Sequence, residues 1–439
     1  MLLSKHIDKG FWTLATNAVK ALYGLLFTLW LIAVLPEQAW GTFYLVQVTF
    51  LIIIQLGLAL AMQPFIKFYY EAADRLRLQS NAILIYAGFL AGALLLIVPF
   101  HRTISAFLHI DNPHTLLYFV PLLLFASFFK LLTNEIFRAT HQLKAYFFSE
   151  TLYFGCNVVL ILAFHFQRGL SRPEDVLLPM SVSFFVSSLY GLWLARRNVV
   201  WGFALDFGLL KRMLYFGKYA FGAFTTSSIF QHADTYILGI YLNPAAVGLL
   251  GAVKVCGHGF QLYKQAMGLV AFPAFSRLNA EKRMADFRAF YEKGIYYSNV
   301  VLLTMMVGLI ALAGVIFELV LQKYQQGAPL LRYFALTGLF VSWHVFGESV
   351  LYALGKPNLS FYTRIIAGII NVGLNIVLIQ HFQIWGAVSA SLLTFLALAG
   401  ITTYYVHREI GFSFNGILQR RHDLYHFLQK NWKKKSAES

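Results

Sequence analysis

Lys254, His258, Gln261 and Gln265 recur at i, i+4, i+7 and i+11, the spacing of one helix face, inside the apolar stretch VKVCGHGFQLYKQAMGLVAF. Lys264 flanks that face, and its ten-residue separation from Lys254 is about 15 Å along a continuous helix. Lys20 sits in another apolar run with Asn17 one turn before it, and Arg364 shares a face with Gly368, Asn371 and Asn375. A charge at such a position costs roughly 2.5–3.5 kcal/mol if it faces lipid, so these side chains belong to a wet or polar interior. Cations in a poorly solvated site require an anion, and a phosphate meets them with short charge-assisted hydrogen bonds. Three acids lie at comparable positions: Asp234 after Ser227 and Gln231, Glu348 between His344 and Tyr352, and Glu150 before Tyr153 and Asn157. Each has two readings. It either neutralises a neighbouring Lys or Arg, or it takes up a proton or Na⁺ as a coupling ion.

These residues must be carried by membrane-spanning helices. The chain has 439 residues, is 59% hydrophobic and only 12% charged, against about 25% charged residues in soluble domains. Twelve apolar segments fall at about 11–34, 41–66, 81–100, 115–137, 146–166, 175–195, 214–241, 246–275, 294–319, 327–354, 359–381 and 385–406. Each is close to the roughly 20 residues needed to cross the hydrocarbon, and helices satisfy their own backbone there. The expected class is all-α and polytopic.

Basic residues set the orientation. One set of alternate loops holds only Arg102, Arg168, Arg172 and Lys323, while the other set holds all the remaining loop Lys and Arg. The basic side is cytoplasmic, which puts both termini there and accounts for the +16 net charge without nucleic acid. Lys130, Lys218 and Arg332 fall near expected helix ends, from which a long side chain reaches the interface. Cys156 and Cys256 lie in apolar segments, which suggests no disulfide framework. The first apolar run is long enough to span and lacks a small-residue cleavage site, so a cleaved signal is not expected.

The chain also repeats itself. An offset of 207 residues puts Gly10 on Gly217, Thr28 on Thr235, Leu35 on Leu242, Ala39 on Ala246 and Gly41 on Gly248. A two-residue gap then brings Pro64 onto Pro273. A repeat of half the chain length is a common transporter plan, and six spans per half give both halves one orientation, related by an axis along the membrane normal. The expected organisation is a lobe at 1–195, an interfacial linker at 196–213, a second lobe at 214–406 and a basic amphipathic tail at 407–439. Phe203, Phe207 and Leu210 suggest a short amphipathic helix in the linker. The tail reads as an interfacial helix drawn to anionic lipid. The sequence has no HExxH, Gly-x-Ser-x-Gly, DxD or Walker A motif, so no catalytic residue, metal site or cofactor is expected.

Three stretches carry a family resemblance: Leu35-Pro-Glu-Gln-Ala-Trp-Gly41-Thr-Phe-Tyr44 with Gly57; Asp206-x-x-Leu-Leu-Lys211-Arg-Met-Leu-x-Phe216-Gly217; and Asp234-x-x-Ile-Leu-Gly239 through Val247-Gly248 to Pro273-x-x-Ser276-Arg277. In these the chain resembles the oligosaccharidyl-lipid flippases of the MOP exporter superfamily, of the O-antigen kind. The resemblance implies two six-helix lobes around a cavity with alternating access. It implies a polyprenyl-diphosphate-linked oligosaccharide as cargo, for cell-surface polysaccharide such as lipopolysaccharide, at a bacterial cytoplasmic (inner) membrane. Membrane lipids, an H⁺ or Na⁺ coupling ion and polysaccharide assembly proteins are the implied partners. In that family spans 1, 2, 7 and 8 line the cavity, which includes Lys20 and the Lys254 face, whereas Arg364 on span 11 lies outside the usual lining. The competing readings are a multidrug-type antiporter, for which an acidic cavity is expected, and a membrane-embedded polymerase or glycosyltransferase, for which a catalytic acid cluster is expected.

Overall fold

A computed structural model describes residues 2–71, 74–196 and 202–420, with side chains from residue 11 onward. Among these residues every regular element is helical. The helices are α1 Leu2–Leu22, α2 Thr28–Val34, α3 Glu37–Phe68, α4 Arg75–Phe107, α5 His114–Ala139, α6 Leu143–Arg168, α7 Glu174–Ala195, α8 Phe207–Tyr241, α9 Pro244–Cys256 and α10 His258–Ala280. They continue as α11 Met284–Val315, α12 Gly327–Ala335, α13 Gly338–Ala353, α14 Pro357–Ile410 and α15 Phe414–Gln419. A π-helical turn at Tyr23–Phe27 joins α1 to α2.

Nine described helical stretches are long and apolar enough to cross a membrane, and α9 with α10 makes a tenth if counted as one broken span. Two features separate this tally from the twelve expected segments. The 35-residue helix α8 is long enough, but its middle reads TTSSIFQHAD and is too polar to qualify. The helix α14 is broken at Gln383, whose φ of 53° and ψ of −130° are not helical. A Cβ on Gly386 would lie 2.1 Å from the carbonyl oxygen of Leu378, so the chain doubles back there as two arms.

The chain forms two compact units. One is Met1–Val255 with Val320–Lys323; the other is Cys256–Leu319 with Tyr324–Ser439. In the first, α8 and α9 belong with α3 because glycines let the backbones touch. A Cβ on Gly217 would stand 2.2 Å from the Leu60 carbonyl oxygen, and one on Gly41 would stand 1.6 Å from that of Pro244. The Trp40 indole, fully buried, donates to the Gly248 carbonyl at 3.1 Å. Gly41 and Gly248, matched by the internal repeat, therefore meet each other: a Cβ on Gly248 would be 3.2 Å from the Gly41 nitrogen. Gly41→Leu forces the helices apart and is expected to cost more than about 3 kcal/mol. Gly88, with nothing within 4 Å of an added Cβ, should accept Ala unchanged. Thermal unfolding of the two variants in detergent checks the contrast.

The expected amphipathic helix in the linker is not a separate element. Asp206 caps α8, its carboxylate accepting from the Leu209 amide at 3.0 Å, and residues 207–213 are the first turns of that long helix. The preceding strand of loop is held on α4, where Asn81 Nδ2 donates to the Asp206 carbonyl at 2.8 Å and the Ala204 amide donates to Ser80 Oγ at 3.1 Å. Residues 197–201 of the linker and 421–439 of the tail lie outside the described residues. Lys323 Nζ donates to the Val34 and Leu35 carbonyls at 2.8 Å each, closing the end of α2. Burial there lowers its pKa, with Glu37 opposing the shift.

The second unit is built on two hydrophobic cores, one rich in aromatic side chains and one mainly aliphatic. One gathers Phe275, Phe287, Tyr291, Phe346 and Phe412, and the other gathers Phe260, Leu302, Met306, Val341 and Val345. Gly338 lets α13 approach Phe260, whose ring would lie 2.6 Å from an added Cβ.

Candidate functional site

In the first unit, α1, α5 and α6 bring a polar seam together inside the apolar packing. Glu150 on α6 is its centre. Lys20 Nζ lies 3.2 Å from one Glu150 oxygen and donates to the Tyr146 hydroxyl at 2.6 Å. Lys130 on α5 pairs with the other oxygen, and Asn134 Nδ2, one turn on, donates to that same oxygen at 2.6 Å. Tyr23, three residues after Lys20 and in the π-turn, donates to Asn157 Oδ1 at 2.6 Å. Two ammonium groups thus share one carboxylate. They differ in access, since the Lys130 side chain is 3% exposed and that of Lys20 is 37% exposed. Lys130 does not reach an interface as expected: the Glu150 carboxylate and the faces of Tyr153 and Phe184 hold it inside.

A second pair in the same unit joins α8 and α9. Lys254 Nζ lies 2.6 Å from Asp234 Oδ1 and also donates to the Gln231 carbonyl at 3.2 Å and Thr235 Oγ1 at 3.3 Å. Asp234 is buried, and its Oδ1 also accepts from the Thr235 amide at 2.7 Å. Gln231 Nε2 donates in turn to Ser227 Oγ at 2.8 Å, so the expected Ser227–Gln231–Asp234 face is a hydrogen-bonded line beside Lys254. This pair is neutral overall.

The second unit holds an analogous cluster around Glu348 on α13. Arg364 on α14 pairs with one Glu348 oxygen, Ser360 Oγ donates to the same oxygen at 2.9 Å, and His344 Nε2 lies 3.7 Å from the other. Lys264 on α10 is half-buried in the same unit. Asn371 and Asn375 are not part of the Glu348 cluster. Asn371 Nδ2 donates to Thr394 Oγ1 at 3.2 Å, between the two arms of α14, and Asn375 Nδ2 donates back to the Asn371 carbonyl at 2.8 Å.

The single helix face expected from Lys254 to Gln265 is interrupted. Gly257, with φ −79° and ψ 0°, leaves the helical conformation between α9 and α10. Lys254 falls in the first unit, whereas His258, Gln261, Lys264 and Gln265 fall in the second. Gln261 and Gln265 are exposed, His258 is half-buried and Asn17 is exposed. Sequence reasoning passed over Lys130, Asn134 and Tyr146 as partners of Glu150. The signal was present in the i, i+4 spacing of Lys130 with Asn134 and of Tyr146 with Glu150.

The fold is similar to that of two solved membrane transporters. An inward-facing multidrug MATE transporter of the MOP superfamily superposes with a TM-score of 0.73 at 14% identity, over 91% of this chain and 98% of its own. The lipid II flippase MurJ, in an inward closed conformation, superposes with a TM-score of 0.72 at 14% identity, over 94% of this chain and 89% of its own. The chain belongs to the polysaccharide biosynthesis protein family, whose model matches residues 80–329. Its relatives include an uncharacterised membrane protein of Methanocaldococcus jannaschii, 21% identical over 71% of this chain and 76% of that protein. A probable low-salt glycan biosynthesis flippase, Agl15 of Haloferax volcanii, is 22% identical over 46% of this chain and 43% of its own length. The chain is a multi-pass membrane protein.

Proposed function

We propose that this protein is a carrier rather than an enzyme, and that it flips a polyprenyl-diphosphate-linked oligosaccharide from the cytoplasmic to the outer leaflet for cell-surface polysaccharide synthesis. The observation that carries this reading is the surplus of one cation over the carboxylate in the Glu150 cluster, where Lys20 and Lys130 both meet one carboxylate. A diphosphate diester carries about two negative charges, and taking it through hydrocarbon without such partners is prohibitive. Membership of a polysaccharide biosynthesis family and similarity to a probable glycan flippase support the cargo class.

The proposed arrangement has twelve spans, lobes at 1–195 and 214–406, and both termini on the cytoplasmic side of the cell (inner) membrane, the side of the basic loops. The substrate-facing residues are Lys20, Asn17, Lys254, His258, Gln261, Lys264, Gln265 and Arg364. Coupling to H⁺ or Na⁺ through Asp234, Glu348 or Glu150 requires the resident cation to leave the carboxylate as the ion arrives. The multidrug reading is less well supported, because a cationic drug needs an acid and all three acids already face cations.

Deleting the gene in its own host tests the reading. The expected result is loss of the surface glycan and accumulation of its lipid-linked precursor at the inner leaflet, with drug resistance unchanged. An unchanged glycan with raised drug sensitivity would overturn it in favour of the antiporter.

A further inference from the structure

Among the described residues many cations have a carboxylate or a carbonyl to meet. Arg77 lies 3.1 Å from Asp74, Arg138 2.7 Å from Glu135, and Arg283 2.8 Å from Asp286. Lys67, Lys211 and Arg212 are set apart by lining one space together. They converge on one cavity of about 550 Å³ between the end of α3 and the start of α8, and no ion pair joins any of them to a described residue. Glu71 is the single acid in the lining, which leaves a local surplus of two positive charges.

The cleft has a structural cause. Gly217 brings α8 onto the Leu60 carbonyl with Pro64 alongside. Past that contact Phe68 and Phe216 line the cleft, and their rings meet edge to face at 6.2 Å. Two of the cations lie along these rings. Lys67 Nζ is 4.5 Å from the Phe216 centroid and 5.2 Å from that of Phe68, and the Arg212 guanidinium is 5.2 Å from Phe68. Stacked in this way, the stems are held while the donors stay free. Tyr215 and Tyr219, 63% and 61% exposed, line the same cleft, as aromatic side chains do at headgroup depth.

We propose that this cleft binds the phosphate headgroup of an acidic membrane phospholipid, its acyl chains lying along the apolar flanks of α3 and α8. Basic pockets between spans at the cytoplasmic face are suited to anionic headgroups. The volume, within the roughly 300–1,000 Å³ of small-ligand sites, accommodates a headgroup and its glycerol. The site is independent of what the protein carries. Lipid-borne phosphate could also come from a polyprenyl diphosphate, and the test separates the two sources.

The experiment is native mass spectrometry of the full-length protein in mild detergent, titrated with phosphatidylglycerol or phosphatidylcholine. Each basic side chain near an anionic headgroup is worth roughly a fivefold preference. The wild type should therefore retain phosphatidylglycerol at least about tenfold better, and Lys67→Gln/Lys211→Gln/Arg212→Gln should reduce the difference to about twofold. These side chains are exposed, so the variant should melt as the wild type does. The control Arg277→Gln/Lys282→Gln/Arg283→Gln, on a different basic loop, should keep the preference. Retained preference in the cleft variant, or equal loss in the control, would overturn the site. Displacement of phosphatidylglycerol by an equimolar polyprenyl diphosphate or by soluble pyrophosphate would overturn the assignment to a phospholipid.

Discussion

Glu150→Gln is expected to destabilise the protein by about 3–5 kcal/mol, the usual cost of removing one partner from a buried ion pair. The size of the effect follows from what remains. Lys130, 3% exposed, would be left with its ammonium against an amide and with Lys20 as a second positive charge nearby. Neither Tyr153 nor Phe184, whose rings lie 4.9 and 5.9 Å from Lys130 Nζ, replaces a carboxylate. Lys130→Met on the Glu150→Gln background removes the orphaned charge with little change in volume and should recover most of the loss. Lys130→Met alone should be milder than Glu150→Gln, because Glu150 keeps Lys20 and Asn134. Melting temperatures of the three variants in detergent measure the ordering. A Glu150→Gln protein that melts as the wild type does would show that the cluster is not holding α1, α5 and α6 together.

Much of this site is legible in the sequence because a charge inside an apolar run is costly and so stands out. Lys20, Lys254, Asp234, Glu348 and Arg364 announce themselves in this way. Their pairing is not legible, because Lys20 and Glu150 are 130 residues apart and only packing joins them. Lys130 was hidden by its place near an expected helix end, where snorkelling is an equally good account of a lysine. The break before α10 was hidden because one glycine in a helix is tolerated, and the periodicity from Lys254 to Gln265 runs through Gly257 uninterrupted. The turn at Gln383 falls in the gap expected between 381 and 385, since hydropathy dips at loops whatever their geometry. Periodicity equally failed to separate an interfacial helix at 203–213 from the opening turns of α8, because both present an apolar face and a basic one. Gly41 and Gly248, which the repeat aligns with each other, are in contact.

Lys20→Gln should separate transport from stability. Lys20 is the more accessible of the two Glu150 cations, and its loss leaves Glu150 satisfied by Lys130 and Asn134. The fold should therefore survive with a small change in melting temperature. What is lost is the surplus positive charge available to an incoming diphosphate, and a hydrogen bond to a charged group is worth roughly 1.5–3 kcal/mol, or about 10- to 100-fold. Arg at position 20 should retain more activity than Gln, because it keeps the charge. The direct measurement is flipping of a fluorescent polyprenyl-diphosphate oligosaccharide in proteoliposomes, read as the fraction of label bleached by an impermeant reductant. Wild-type protein should expose the protected inner-leaflet label, and a folded Lys20→Gln protein should do so at least about tenfold more slowly. Lys20→Gln flipping at the wild-type rate would contradict the role of the cationic cluster in carrying the diphosphate.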